Sequence, residues 1–228
     1  MKIWKTLLII LFCLIVIAGA VNILPEFTND GKEIGSNELG HVNKIVHSSG
    51  FGGSVKIAVI SGMHSREKLH QYALPKAVES FASDHDCKII LYKVNVTKDA
   101  NDFVKGRDNG ESLVHDYVIE DIESEDVDLV IIGHDHSPWY GEDYYIATPS
   151  MDSPSVQLAN KVAKAIGFNY YKRNMSIEAR STSITTVDNP IVATGAKVFV
   201  YEIPENDTEA NAEKMTYKLL EACFNALN

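Results

Sequence analysis

The chain has 228 residues, of which 45% are hydrophobic, so it is long enough for one sizeable globular domain with a buried core. Its formal net charge is −10 at pH 7, and the sequence contains no cluster of lysine and arginine. We therefore expect no nucleic-acid partner, because binding to phosphates requires a basic surface.

The first 24 residues differ in character from the rest. Lys2 and Lys5 precede an apolar run over residues 6–20, which ends in a small-x-small triplet of the kind that signal peptidase accepts. The apolar segment over residues 3–24 also approaches the roughly 20 residues that span a bilayer. We predict that residues 1–24 are a signal peptide or a membrane anchor. Both alternatives place the remaining chain outside the cytoplasm, either secreted or tethered to the membrane through residues 3–24.

The next stretch, residues 25–54, is polar and rich in glycine. This composition predicts a linker or an irregular lead-in. The folded domain is accordingly predicted at residues 55–228.

Strand-like and helical patterns alternate from residue 55 onward. The predicted strands are residues 55–60, 87–96, 127–132 and 197–201. The predicted helices are residues 69–82, 111–122, 155–166 and 208–227. Apolar strands separated by helices indicate a single three-layer α/β domain with a mixed, largely parallel sheet. Cys87 and Cys223 lie in apolar segments, so we expect two buried free thiols.

Three strand ends carry side chains that suit metal chemistry, and ligands of α/β proteins gather at the carboxyl ends of strands. His64 and Glu67 form an HxxE element after the first strand, and these nitrogen and oxygen donors suit zinc. His134 follows the strand 127–132 and is the predicted third ligand. We keep His136 in reserve, on the expectation that the extended segment turns it to the opposite side. Glu202 ends the last strand, where a carboxylate beside zinc-bound water can serve as general base.

The sequences HSRE, DLVIIGH and VFVYE around these residues together resemble the zinc carboxypeptidase superfamily, and within it the aspartoacylase and succinylglutamate desuccinylase type. The resemblance covers roughly residues 55–204. It implies Zn²⁺ held by His64, Glu67 and His134, with water in the fourth position and Glu202 as the base. The implied reaction is cleavage of an amide bond, in a peptide end or in an acyl-amino acid.

Three arginines are candidates for contacts with the substrate. The asparagine–arginine pair that holds a terminal carboxylate in the digestive-type enzymes has no clean match here. Arg107 lies in a glycine-flanked segment, interpreted as a loop, and is the candidate for binding that carboxylate. Arg107 could also help to stabilise an oxyanion. Arg66 is a second candidate for polarising the scissile carbonyl, and Arg180 is a weaker third.

Two other interpretations use the same residues. The segments around His64 and His134 are similar to elements of the calcineurin-like metallophosphoesterases, but these require an aspartate at the position of Gly62. The other interpretation is a membrane-tethered binding protein that keeps the fold without catalysis.

The loop that follows His134 contains three tyrosines that could line a specificity pocket; they are Tyr140, Tyr144 and Tyr145.

Overall fold

The domain is built on one mixed sheet. A computed structural model of the chain describes residues 31–48, 53, 55–140, 143–173 and 181–228. The strands are Lys32–Asn37 (β1), Gly40–Ser48 (β2), Lys56–Ser61 (β3), Lys88–Val96 (β4), Leu129–His136 (β5), Tyr145–Ala147 (β6), Asn169–Tyr171 (β7) and Lys197–Pro204 (β8). The helices are Leu69–Asp84 (α1), Phe103–Tyr117 (α2), Ile119–Glu125 (α3), Ser153–Ile166 (α4), Asn189–Ala193 (α5) and Glu209–Leu227 (α6), with a 3-10 turn at Pro138–Tyr140 and a π-helical turn at Ile184–Asp188.

The centre of the sheet is parallel and its margins are antiparallel. The strand order is β1-β2-β4-β3-β5-β8-β6-β7. Strands β4, β3, β5 and β8 run parallel, so their carboxyl ends meet at one edge. The antiparallel additions are β2 with β1 on one side and β6 on the other. The predicted mixed, largely parallel sheet is therefore confirmed.

Helices cover both faces of the sheet. Alternate residues of β3 divide between two cores, because Ile57 and Val59 pack on one side and Ala58 and Ile60 on the other. Helices α1, α4 and α6 close the first core, whereas α2, α3, α5 and the π-helical turn close the second. The predicted three-layer α/β domain is confirmed by this arrangement. Cys87 and Cys223 are both buried and free, as predicted.

The prediction that residues 25–54 form a linker or an irregular lead-in is wrong. Within residues 25–54, the strands β1 and β2 form a hairpin, and β2 pairs with β4 along its whole length. Residues Lys32–Asn228 form one compact unit, so the domain begins at Lys32 and not at residue 55. The hairpin lies at one margin of the sheet, and most of its residues are half-buried or exposed, which explains why it has the composition of a linker.

The predicted loop around Arg107 is also wrong, since this segment lies inside helix α2. Two glycines let the helix pack directly against the chain after β3. A Cβ atom on Gly110 would lie 1.7 Å from the carbonyl oxygen of Met63, and one on Gly106 would lie 2.8 Å from Ser65 Oγ. These glycines therefore mark a close approach of two backbones rather than a flexible turn.

The predicted leader, residues 1–24, lies outside the described residues and stays a prediction. Among the helices that the structure describes, none combines the length and the apolar character needed to cross a bilayer.

The packing of α2 can be tested with Gly110→Ala. Alanine favours a helix over glycine by about 1 kcal/mol, but forcing an extra carbon into filled space typically costs about 1–3 kcal/mol and sometimes more. With the Cβ atom 1.7 Å from a carbonyl oxygen, we expect the clash to dominate and the free energy of unfolding to fall by about 2 kcal/mol. Urea unfolding measures it, with the exposed Asp108→Ala in the same helix as control. A Gly110→Ala protein as stable as wild type would contradict the close approach.

Candidate metal centre and active site

The first part of the site is the loop between β3 and α1, which carries His64 and Glu67. Gly62 starts this loop in the left-handed region, at φ +87°, and a Cβ atom there would lie 2.3 Å from the carbonyl oxygen of Val94. Only glycine meets both conditions without strain. The chain can therefore leave the buried strand abruptly and bring both side chains over the edge of the sheet.

The carboxylate of Asp135, on β5, holds the far end of this loop. It accepts hydrogen bonds from the backbone N–H groups of Leu69 at 2.6 Å and His70 at 2.8 Å, which are the first two residues of α1. An acceptor at a helix N-terminus satisfies donors that have no partner within the helix. The His70 ring then links Asp135 to Gly62. Its Nδ1 lies 3.2 Å from the Asp135 carboxylate, and its Nε2 accepts a hydrogen bond from the N–H of Gly62 at 3.0 Å. Both ends of the loop are thus fixed to one aspartate.

His134 and Glu202 lie side by side on neighbouring strands. The register of β5 and β8 pairs His134 with Glu202, and both face the side of the sheet that α2 covers. Strand β5 continues through His136, so His136 shares that face, because residues two apart in a strand point the same way. The expectation that it turns to the opposite side is therefore wrong. Its Nδ1 lies 3.1 Å from the carbonyl oxygen of Ser137.

His64, Glu67 and His134 converge on one point. Their ligand atoms all lie within 4.8 Å of one another. Each Glu67 oxygen faces one imidazole, with Oε1 at 3.0 Å from His64 Nδ1 and Oε2 at 2.8 Å from His134 Nδ1. The two imidazoles are buried and the carboxylate is half-buried. Metal ions of intermediate softness prefer such a set of nitrogen and oxygen donors. Three protein ligands also leave one coordination position for another group. These residues therefore fit a catalytic metal ion.

Glu111, on α2, lies behind the first of these imidazoles. Its Oε1 is 3.5 Å from His64 Nε2, and neither buried atom has a hydrogen-bond partner among the described residues. Metal-binding histidines usually direct their second ring nitrogen to such a carboxylate, which fixes the tautomer and raises the basicity of the ligating nitrogen. Glu111 can thus leave His64 Nδ1 available as a metal ligand.

Two carboxyl groups of the site have displaced pKa values. Burial opposes the ionisation of Glu67, but the charges and hydrogen bonds of His134 and His64 outweigh it and hold the pKa of Glu67 well below its usual range. Burial raises the pKa of Glu202 to about 7, with His134 opposing the rise and Glu67 adding to it. A carboxyl group with a pKa near neutrality can both accept and return a proton at physiological pH.

Arg107 and Arg66 both lie near the ring of Phe103, which is exposed at the mouth of the site. Their guanidinium carbons lie 5.6 and 5.8 Å from its centroid. Arg107 also donates from Nη1 to Glu67 Oε1 at 3.1 Å, whereas Arg66 is exposed. Arg180, the third predicted candidate, lies outside the described residues.

One cavity of about 990 Å³ is bordered by the three candidate metal ligands, by Glu202 and by both arginines of the mouth. Of the predicted loop tyrosines, Tyr145 lines this cavity, while Tyr144 packs in the core against Phe168 and Tyr201. The side chain of Tyr140 is outside the description. The cavity extends past Glu202 to two buried charged residues, Arg173 and Asp188.

Sequence reasoning missed four polar residues of the site. Asp135 had a usable signal, since it stands between two histidines at a strand end. Glu111 and Asp188 occupy helical turns with no local motif. Only the packing of α2 brings Glu111 beside His64, and only the π-helical turn brings Asp188 to the cavity. Arg173 likewise has no motif around it.

Comparisons with known proteins identify the fold. No family model matches the sequence, and no curated protein matches it either. Solved structures do match. A metallo-carboxypeptidase of Burkholderia cenocepacia has a TM-score of 0.59 at 10% identity, over 92% of this chain and 66% of that one. One of Pseudomonas aeruginosa has a TM-score of 0.55 at 13% identity, over 87% of this chain and 64% of that one.

A D,L-carboxypeptidase of Helicobacter pylori, in its mDAP-bound form, has a TM-score of 0.53 at 12% identity, over 81% of this chain and 54% of that one. The chain thus spans less than two thirds of the length of these structures. At such identities the likeness concerns the fold alone. The described domain has the fold of the metallo-carboxypeptidases.

Proposed function

We propose that the protein is a zinc-dependent hydrolase that cleaves an amide bond, either releasing the last residue of a peptide or deacylating an acyl-amino acid. One observation carries the proposal: His64, Glu67 and His134 bring their ligand atoms within 4.8 Å of one another, and Glu202 stands next to His134 in the sheet register. A metal-ligand set and a carboxyl group poised to transfer protons thus share one cavity.

In the proposed mechanism, His64, Glu67 and His134 hold the metal. Zinc, when bound, lowers the pKa of a coordinated water toward neutrality and polarises a carbonyl oxygen. Glu202 accepts the proton of the attacking water on its carboxylate. It then returns the proton to the leaving nitrogen, which departs as a neutral amine.

The two arginines of the mouth have different roles in this proposal. Arg107 lies against Glu67 and can direct its guanidinium toward charge that develops on the scissile carbonyl. Arg66 is exposed and remains the second candidate for that role. Binding of a terminal carboxylate by Arg107 stays a prediction. One of its donors, Nη1, is already engaged with Glu67, which leaves the remaining N–H groups for such a contact.

Peptide substrates are supported by the structural neighbours. The Helicobacter pylori protein has been solved with a tripeptide and with mDAP. We extend this substrate class to the present chain as a proposal. The predicted leader supports the further proposal that the hydrolase acts outside the cytoplasm, secreted or anchored through residues 3–24, on peptide or cell-envelope substrates.

The competing interpretations make different demands on the site. A calcineurin-like phosphoesterase needs ligands for two metal ions, and the part of the chain that the structure describes contains one group of three ligating residues. A binding protein without catalysis needs no proton acceptor, so the Glu202 variant below separates it from the hydrolase.

Metal analysis tests the ligand set. We expect one zinc per wild-type chain after dialysis against a weak chelator, measured by mass spectrometry of the metal. His64→Ala and His134→Ala should each lose most of it, because two remaining ligands do not hold the ion. His136→Ala should retain the zinc, since His136 is outside the ligand group. Two zinc ions per wild-type chain would favour the phosphoesterase instead.

The role of Glu202 is tested by Glu202→Gln, which keeps the shape but cannot accept a proton. We expect kcat for an N-acyl dipeptide to fall on the order of 10²–10⁴-fold, the usual contribution of a general base. The zinc content should not change. The exposed Glu209→Gln serves as the matched control. Hydrolysis at the wild-type rate by Glu202→Gln would remove Glu202 from the mechanism.

Glu111→Gln tests the carboxylate behind His64. We expect zinc affinity to fall by about 10–100-fold, as is typical when such a partner is lost. Competition with a chromophoric chelator measures this affinity, and Glu120→Gln on the neighbouring helix α3 is the control. Unchanged affinity would show that Glu111 does not act on the metal through His64.

A further inference from the structure

Helix α1, which follows the ligand loop, begins without a capping side chain of its own. Its N-cap residue is Lys68, whose side chain carries donors only, and no acidic residue follows in the first turn. The first N–H groups of a helix have no partner within it, and the helix dipole favours an anion at that end. The Asp135 carboxylate on β5 supplies both, since it accepts the N–H groups of Leu69 and His70. A strand residue 66 positions further along the chain thus caps this helix.

His70 belongs to the same buried cluster. Its ring is inaccessible to solvent, and its Nε2 accepts the N–H of Gly62. A ring nitrogen that accepts carries no proton, so the proton of the neutral ring is on Nδ1, which donates to Asp135 Oδ1. Gly133 makes room for this ring, because a Cβ atom there would lie 3.2 Å from His70 Cδ2. The Asp135 carboxylate, with 2% of its side chain exposed, therefore accepts from three donors.

The main chain of Asp135 contacts the ligand set directly. Successive residues of a strand point to opposite faces, so the Asp135 side chain faces α1 while that of His134 faces the metal centre. The N–H of Asp135 donates to Glu67 Oε2 at 3.2 Å, and Arg107 donates to the other oxygen, Oε1. Both oxygens of the ligand carboxylate are thus oriented by protein donors.

The first turn of α1 also holds the backbone of the ligand loop. Gln71 Nε2 donates to the carbonyl oxygen of Glu67 at 2.5 Å and lies 3.3 Å from those of His64 and Ser65. A displacement of the start of α1 would therefore move the main chain of both ligands in this loop. The cap from Asp135 fixes that start over the end of β5, which carries the third ligand.

We propose that Asp135 and His70 are positioning residues of the metal centre. As one unit, they hold the ligand loop at the distance from His134 at which the ion binds. This inference rests on the proposed function and adds to it two residues outside the ligand group. Ligands that are already in place bind more tightly, because less conformational freedom is lost when the ion arrives.

Zinc affinity tests the two residues. Asp135→Asn keeps the size of the side chain but replaces one acceptor oxygen with an NH₂ group, and His70→Phe keeps a ring without its nitrogens. We expect each variant to lose about 10–100-fold in affinity, the range typical when the hydrogen-bonding support of a metal ligand is removed. Competition with a chromophoric chelator measures the loss. Wild-type affinity in both variants would overturn the inference.

The control removes a helix cap elsewhere. Thr208 caps α6, where its Oγ1 accepts the N–H of Asn211 at 3.2 Å. Thr208→Ala should lower the stability of the metal-free protein in urea, as Asp135→Asn does, and leave the zinc affinity unchanged. An equal loss of zinc affinity in Thr208→Ala would contradict a positioning role, because affinity would then follow stability alone.

The double variant tests whether Asp135 and His70 act as one unit. If they do, the combined substitutions should cost no more zinc affinity than the more damaging single one, whereas independent effects would multiply. Multiplied losses would overturn the pairing of the two residues.

The absorption spectrum of bound Co²⁺ reports the arrangement of the ligands. We expect the visible bands to shift or change in intensity in Asp135→Asn and to match wild type in Thr208→Ala. An unchanged spectrum in Asp135→Asn would contradict the inference.

These measurements need no turnover, so they separate the inference from the proposed function. Zinc binding that depends on Asp135, in a protein that cleaves no amide, would leave the positioning role and remove the hydrolase. Wild-type zinc affinity in an Asp135→Asn protein that still hydrolyses amides would do the reverse.

Discussion

The candidate site depends on the carboxylate of Asp135. It accepts two N–H groups at the start of α1, and it reaches the turn at Gly62 through the ring of His70. The loop between these points carries His64 and Glu67, while the residue before Asp135 is His134. One buried side chain on β5 therefore sets the distance between ligands that come from two separate segments of the chain. Without it, the helix N-terminus would lose the acceptor that fixes its position over the sheet edge.

The sequence was most informative where hydrophobic periodicity and strand ends coincide. The central strands, the long helices and the positions of His64, Glu67, His134 and Glu202 could be predicted, because apolar runs define the parallel strands and their carboxyl ends meet at one edge. The hairpin β1–β2 could not, since most of its residues are half-buried or exposed and give little apolar signal. Strands β6 and β7 have three residues each, which is too short for a periodic signal.

Glycine is the clearest case in which local pattern and tertiary structure disagree. The spacing of Gly106 and Gly110 suggests a loop when only neighbours in sequence are considered, but four residues make one helical turn. The two glycines form a groove on one side of α2, and the loop after β3 lies in it. Propensity favours a break at these positions, and packing against Met63 and Ser65 overrides it. The same effect hides Glu111 from motif-based reasoning and explains why the segment of Arg107 was interpreted as a loop.

The docking of α2 has a consequence for the proposed metal ligands. Arg107 and Glu111 are also one turn apart, each directly after one of the glycines, and they contact different ligands: Arg107 donates to Glu67, and Glu111 lies beside His64. One helix thus brings a basic and an acidic side chain to two of the three proposed metal ligands. A sideways shift of helix α2, however small, would alter the basicity of Glu67 and His64 together. Metal affinity in this protein should consequently depend on the exact position of a helix that supplies no ligand itself.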